Sequence, residues 1–178
     1  MVFLIFLFSS FAAAEDRRTV PVTLYLIIDG SEGLKTGKEN AVTWVNDYID
    51  RVLQDGDTLT VWLAAEKAEL LFSESLKGAV QKETVKELLR SIIPGGGAAD
   101  YAGALREAAA RETRRAGPDI PYTLLITGVA GGFLGGGGAA ELLRYSRIQE
   151  FSGWRVQMVG MDLAARVQKA VSGYMMGG

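Results

Sequence analysis

The 178-residue chain contains no cysteine and no histidine. Without cysteine there is no disulfide framework, thiol nucleophile, iron-sulfur cluster or cysteine-held zinc. Without histidine there is no Ser-His-Asp or Cys-His triad, no imidazole metal ligand and no side chain that ordinarily titrates near neutrality. Any metal would have to be held by oxygens, which points to Mg²⁺, Ca²⁺ or Mn²⁺. A basic excess is missing too: 19 Lys plus Arg stand against 21 Asp plus Glu, a formal net charge of −2. That balance gives no reason to expect nucleic acid. The local cluster Arg106, Arg111, Arg114 and Arg115 is interleaved with Glu107 and Glu112 and reads as a solvated helix face.

What is present begins with an uncharged apolar stretch. Residues 1–14 run Val2-Phe3-Leu4-Ile5-Phe6-Leu7-Phe8, then Ser9-Ser10, then Ala12-Ala13-Ala14 ahead of the charged Glu15, Asp16, Arg17 and Arg18. This is the pattern of a secretory signal peptide with an A-x-A cleavage site, although a basic leading segment is lacking. As a helix it would span about 21 Å, short of the roughly 30 Å hydrocarbon core. The expectation is an exported protein, periplasmic or secreted, with no stable membrane insertion after the signal is cleaved. A buried first strand is the competing reading.

Beyond residue 20, strands and helices alternate. Val20 to Ile28 is dense in aliphatic residues and ends at Asp29-Gly30, as a strand buried on both faces does. Ala41, Trp44, Val45, Tyr48, Ile49, Val52 and Leu53 recur at helical spacing. Gln54-Asp55-Gly56-Asp57 is a turn, and Thr58 to Ala64 is a second strand, parallel to the first across this helix. Ala68 to Phe72 fits an antiparallel edge strand. A second helix carries Val85, Leu88, Leu89, Ile92 and Ile93 and stops before Pro94 and Gly95-Gly96-Gly97. A third helix spans about 100–115 and buries Leu105, Ala108 and Ala109. A strand at 122–127, a glycine-rich loop through Gly138, a helix near 139–148, a strand at 154–160 and a short last helix near 163–174 complete the reading. The fold class is α/β: a doubly wound, mostly parallel, Rossmann-like sheet with one antiparallel edge strand. Ligands are expected outside the carboxyl ends of its strands.

The loop after the first strand reads Asp29-Gly30-Ser31-Glu32-Gly33. A carboxylate and a hydroxyl two residues apart can offer hard oxygen ligands, but a D-x-S triplet alone is common. Its context is more specific. It is followed by an amphipathic helix, a strand with an edge partner and a helix, then a glycine-rich loop before Asp100-Tyr101-Ala102-Gly103-Ala104-Leu105, then Leu124-Leu125-Ile126-Thr127-Gly128. In that order these features resemble the von Willebrand factor type A (vWA) domain family, over residues 20–178.

The resemblance implies a non-enzymatic module that binds other proteins, usually through a metal-ion-dependent adhesion site. The family builds that site from D-x-S-x-S, a Thr before the third helix and an Asp closing the fourth strand. Here Asp29 and Ser31 match, while Gly33, Ala99 and Gly128 stand at the other positions. The site is therefore degenerate: Asp29 and Ser31 are the metal candidates, weak or vestigial, and no cofactor is expected beyond weak Mg²⁺ or Ca²⁺. Restoring Ser at 33, Thr at 99 and Asp at 128 should regain a full site if this alignment is right. Asp29, Ser31, Glu32 and Asp100 form the expected binding rim for a protein partner, with the glycine loops at 95–97 and 131–138 around it. No sixth strand and closing helix follow Tyr174, so the fold is expected to be truncated at its C-terminus.

Three other readings compete. A vWA domain with a weak residual Mg²⁺ or Ca²⁺ site is one. A nucleotide-binding α/β enzyme using the loop 128–138 is another, since Thr127-Gly128-Val129-Ala130-Gly131-Gly132-Phe133-Leu134 resembles a dehydrogenase turn. Against it, the pattern's last Gly is Leu134, and Tyr145 is followed four residues on by Gln149 rather than Lys. A serine hydrolase fails because Ser31 lies in no G-x-S-x-G and no histidine exists to act as base.

Overall fold

The computed structural model describes residues 18–115, 117–128, 133, 137–148, 151 and 153–161. The proposed signal segment, most of the glycine loop after Gly128 and the proposed last helix near 163–174 lie outside them.

Five strands form one sheet in the order β3-β2-β1-β4-β5. They are β1 (Val22–Asp29), β2 (Thr58–Ala64), β3 (Ala68–Ser75), β4 (Ile120–Thr127) and β5 (Arg155–Gly160). β1 pairs parallel with β2 and with β4, and β4 pairs parallel with β5, while β3 runs antiparallel along β2. Among the described residues the α-helices are α1 (Lys38–Val52), α2 (Ala79–Ser91), α3 (Tyr101–Arg114) and α4 (Gly138–Tyr145). This is the doubly wound, mostly parallel α/β sheet with one antiparallel edge.

The central strand explains the arrangement. Alternate residues of β1 point to opposite faces and both faces are covered, so the strand is buried from Thr23 onward and mostly apolar. Leu24, Leu26 and Ile28 pack with Leu59, Val61, Leu124 and Ile126 beneath Ala41, Val45, Ile49, Val85 and Leu89 of α1 and α2. On the other face Ile27 packs with Trp62, Ala64 and Leu125 beneath Tyr101, Ala104, Leu105 and Ala109 of α3. At about 25 cal/mol per Å² these two layers supply the main drive to fold.

Several boundaries differ from the sequence reading. β3 continues to Ser75 through polar residues that an exposed edge tolerates. β4 begins at Ile120, and Pro121 is accommodated because β5 pairing starts only at Tyr122. Ile93 was expected on the core stripe of α2. That helix ends at Ser91, and Ile93 is 87% exposed. The residue before a proline is pushed out of the helical region, so helical spacing cannot be carried across Ile93-Pro94.

The arginines of α3 and its C-cap are less uniform than a solvated face. Arg115 grips Glu112 at 2.7 Å and 2.9 Å, Arg106 reaches Glu141 on α4 at 3.0 Å, and Arg111 lies over the Trp62 ring, 5.5 Å from its centroid.

At the amino end of the sheet, Asp57 is 2% exposed and joins the start of β1 to the turn before β2. Its carboxylate accepts from Val22 N at 2.8 Å, Gln54 N at 2.8 Å and Arg18 Nη2 at 3.0 Å. Asp57→Ala removes the acceptor of two backbone N–H groups and the charge facing Arg18, and is expected to cost roughly 3 kcal/mol. Urea unfolding should show a lower midpoint at unchanged slope, and an unchanged midpoint would contradict this role.

Candidate functional site

The carboxyl ends of β1, β2 and β4 meet three loops that are tied to one another by backbone bonds. Gly30 N donates to Ala64 O at 2.9 Å, Gly95 N to Gly30 O at 3.0 Å and Asp100 N to Ala65 O at 2.7 Å. The loops after β1, after β2 and before α3 therefore form one rim around the end of the central strand.

The sequence-predicted residues fall at different depths in this rim. Asp29 is 1% exposed and forms its floor. Its Oδ1 accepts from Ser31 N at 2.8 Å and its Oδ2 from Gly128 N at 3.0 Å. Ser31 caps a single 3-10 turn over Glu32–Leu34, its Oγ accepting from Gly33 N at 3.3 Å. Asp100 caps α3 and accepts from Gly103 N at 2.7 Å. Glu32 is the outermost of the four, with its side chain 75% exposed and 3.8 Å from Lys35 Nζ. Asp29 and Ser31 thus lie together, Asp100 sits across the rim at a helix start, and Glu32 faces solvent.

The residue that the sequence reading passed over is Tyr101. It is 1% exposed, and its hydroxyl donates to Thr127 Oγ1 at 2.8 Å. Burial first, and then the negative Asp29, push its ionisation well above the usual tyrosine range. Phe133 meets its ring edge to face, with centroids 5.5 Å apart. An aromatic at the first position of a helix that starts beside a strand-end Asp was the available signal.

These residues do not fit a divalent cation well. Both Asp29 oxygens already accept backbone N–H groups, and Ser31 Oγ is used in a cap. Ala99 is 8% exposed and supplies no side-chain oxygen. Gly128 has no room for a side chain: a Cβ there would lie 2.2 Å from Gly33 O and 2.6 Å from Leu34 Cα. Restoring Asp at 128 is therefore blocked by backbone, which corrects the expectation that three substitutions rebuild the site. Among the described residues no group of three acidic side chains is placed to hold a metal.

A groove of about 420 Å³ lies along α1 and the end of α2, lined by Lys38, Glu39, Asn46, Asp47, Asp50 and Arg90 among others. None of the strand-end residues lines it.

Fold and site together define a doubly wound α/β domain whose rim stands at the carboxyl end of its central strand. Solved structures place this fold: the chain has a von Willebrand factor type A-like fold. It superposes on the von Willebrand factor type A protein from Catenulispora acidiphila with a TM-score of 0.63 at 16% identity, covering 88% of this chain and 37% of that one. An aerotolerance-related membrane protein from Bacteroides fragilis NCTC 9343 matches with a TM-score of 0.56 at 21% identity, covering 81% of this chain and 69% of that one. In sequence, 92 residues are 33% identical to an uncharacterized protein of Treponema pallidum (strain Nichols), which is 50% of this chain and 41% of that protein. The chain thus spans about two-fifths of the sequence relative and of the Catenulispora chain. No protein-family model matches the sequence.

Proposed function

We propose that the chain is an exported vWA-like module that binds a protein partner through the rim at the carboxyl ends of its strands, without a metal ion and without catalysing a reaction. The observation that carries this is Ile93: a large aliphatic side chain 87% exposed, two residues before the Gly95 that bonds to Gly30. An isolated exposed apolar residue needs no explanation by itself. Beside a polar rim of Ser31, Glu32 and Asp100 it has the composition of an interface anchor with hydrogen-bonding groups around it.

Metal independence is supported by Asp29 being engaged by backbone donors and by the lack of space at Gly128. Export is supported by the apolar segment of residues 1–14 and its A-x-A end. The Bacteroides protein of like fold is described as a membrane protein. Among the described residues no helix is long and apolar enough to cross a membrane.

The test compares two exposed aliphatic positions at opposite ends of the domain. Val80, at the start of α2, is 77% exposed and Ile93 is 87% exposed. A photo-crosslinking residue at 93 is expected to trap one discrete partner in the native host, in buffer containing EDTA, while the same residue at 80 traps none. Equal crosslinking from both positions, or loss of the product on chelation, would sink the reading. Sequencing the amino terminus of the exported protein should find a start after Ala14.

A further inference from the structure

We infer that the outer edge of β3 is a second interaction surface, one that takes an extended basic segment of another protein as an added strand. It lies along the side of the sheet rather than at the rim, so it stands or falls independently of the reading above.

β3 pairs on one side with β2, and among the described residues no strand pairs with its outer side. Alternate backbone N–H and C=O groups along that side are left for a further strand. Proteins commonly protect such an edge with lysine or proline, and Ala68–Ser75 contains neither. Leu70, within it, is 42% exposed.

The charges of this edge are sorted by face. Residues directly opposite each other in an antiparallel pair share a face, and Glu69 stands opposite Leu63 while Glu74 stands opposite Leu59. Both leucines belong to the layer beneath α1 and α2. Glutamates five residues apart would ordinarily point to opposite faces, but a bulge between Leu70 and Phe72 takes up the odd residue and puts both on one face. Both are exposed, and no described lysine or arginine is ion-paired with either. The other face carries Leu70 opposite Trp62 and Ser73 opposite Thr60, and there Arg111 of α3 donates to Ser73 Oγ at 3.2 Å. An added strand therefore meets two carboxylates on one face and a guanidinium beside neutral side chains on the other. Lysines or arginines four residues apart, as Leu59 and Leu63 are, with uncharged β-branched residues between them, complement both faces. Lys67 and Lys77 flank β3 outside its paired length.

A second copy of this chain is the poorer occupant. Antiparallel pairing of two β3 strands about their midpoint would set Glu69 of each against Glu74 of the other, and like charges directly opposite destabilise a sheet. The bulge also twists the edge away from flat sheet-to-sheet contact, which a short extended segment can follow.

The test titrates the full chain with a capped peptide reading Thr-Lys-Val-Val-Val-Lys-Thr and follows the backbone amides by NMR. Binding is expected at millimolar peptide, with shifts and slowed amide exchange along β3. Glu69→Lys combined with Glu74→Lys, at two exposed positions, should weaken binding about fivefold or more while the rest of the spectrum is kept. The same peptide N-methylated on its valine nitrogens keeps its charge and side chains but loses pairing donors, and should not bind. Equal binding by the N-methylated peptide or by the charge-reversed variant overturns the inference, as does no binding at all or shifts at the rim instead of β3. A dimer of the natural chain in sedimentation, with β3 amides already protected, would overturn it in favour of a second copy.

Discussion

Gly128→Asp, the change that would complete the family's acidic position, is expected to unfold or severely destabilise the protein. The physical reason lies in one contact. A Cβ at 128 would be 2.2 Å from Gly33 O, 2.4 Å from Gly33 C and 2.6 Å from Leu34 Cα, and all three atoms belong to backbone. A flexible side chain could move aside, but a strand end and a 3-10 turn must shift together. Overpacking of this kind costs about 3 kcal/mol or more, a large part of the 5–15 kcal/mol by which domains are stable. Gly128 lies outside the positive-φ glycines, so the constraint is space alone. Gly128→Ala, which adds the same Cβ without charge, should therefore lose most of what Gly128→Asp loses. Urea midpoints of both variants decide the matter: a neutral Gly128→Ala beside a damaging Gly128→Asp would place the cost in the buried charge instead.

The same contact shows where sequence reasoning stopped. That Gly33 and Gly128 both depart from the family's pattern is visible in the chain. That their backbones touch across 95 residues of sequence is a tertiary fact. Local punctuation gave clear boundaries where it was strong. The turn Gln54-Asp55-Gly56-Asp57, with Gly56 at φ 94°, fixes where β2 begins, and β2 runs from Thr58 to Ala64 as its apolar run indicates. The two-sided burial of β1 was legible from its density of aliphatic residues, with Leu24, Leu26, Ile27 and Ile28 falling on both faces. Exposed elements were not: Ser73, Glu74 and Ser75 extend β3 by hydrogen bonding to β2, a cause that no apolar periodicity records.

The site was half legible for a related reason. Asp29 and Ser31 stand in a motif, and motifs are local. Tyr101 stands in no such motif, and what places it in the site is the end of β4, which brings Thr127 Oγ1 to its hydroxyl. Ile93 was misplaced because helical spacing was carried past the true helix end at Ser91, and the side chain is exposed instead of packed in the core.

Alkaline pH is expected to unfold the protein cooperatively, with tyrosine ionisation as the cause. Tyr25, Tyr48 and Tyr101 all ionise above the ordinary value near 10 in the folded chain. Burial is the first cause in each case. For Tyr25 the second is Glu112, which accepts its hydroxyl at 3.0 Å, and for Tyr101 it is Asp29. Tyr48, pushed up to about 12, is affected next by Tyr122. The folded state therefore holds these phenols neutral while the unfolded chain releases their protons above pH 10. The folded state binds more protons there, so stability falls as pH rises. Below pH 10 both states are neutral at these positions and the effect vanishes. Each fully shielded phenol removes about 1.4 kcal/mol per pH unit. Tyr25 and Tyr101, 2% and 1% exposed, together take away about 3 kcal/mol by pH 11. Tyr48, less buried, adds a smaller share. Lys86 acts in the same direction. Hydrogen bonds to Asp50 and Glu83 raise its pKa, so its contribution is present below the ordinary lysine value and is lost as pH rises through the folded one. Tyrosinate absorbance and far-UV circular dichroism followed together should show that at least three of the six tyrosines ionise only as helix signal is lost. Complete, gradual ionisation near pH 10 with the fold intact would mean that these hydroxyls are not buried as described. Tyr25→Phe offers the control, since it removes one ionisable phenol from the core and should move the alkaline midpoint upward while lowering stability slightly at neutral pH.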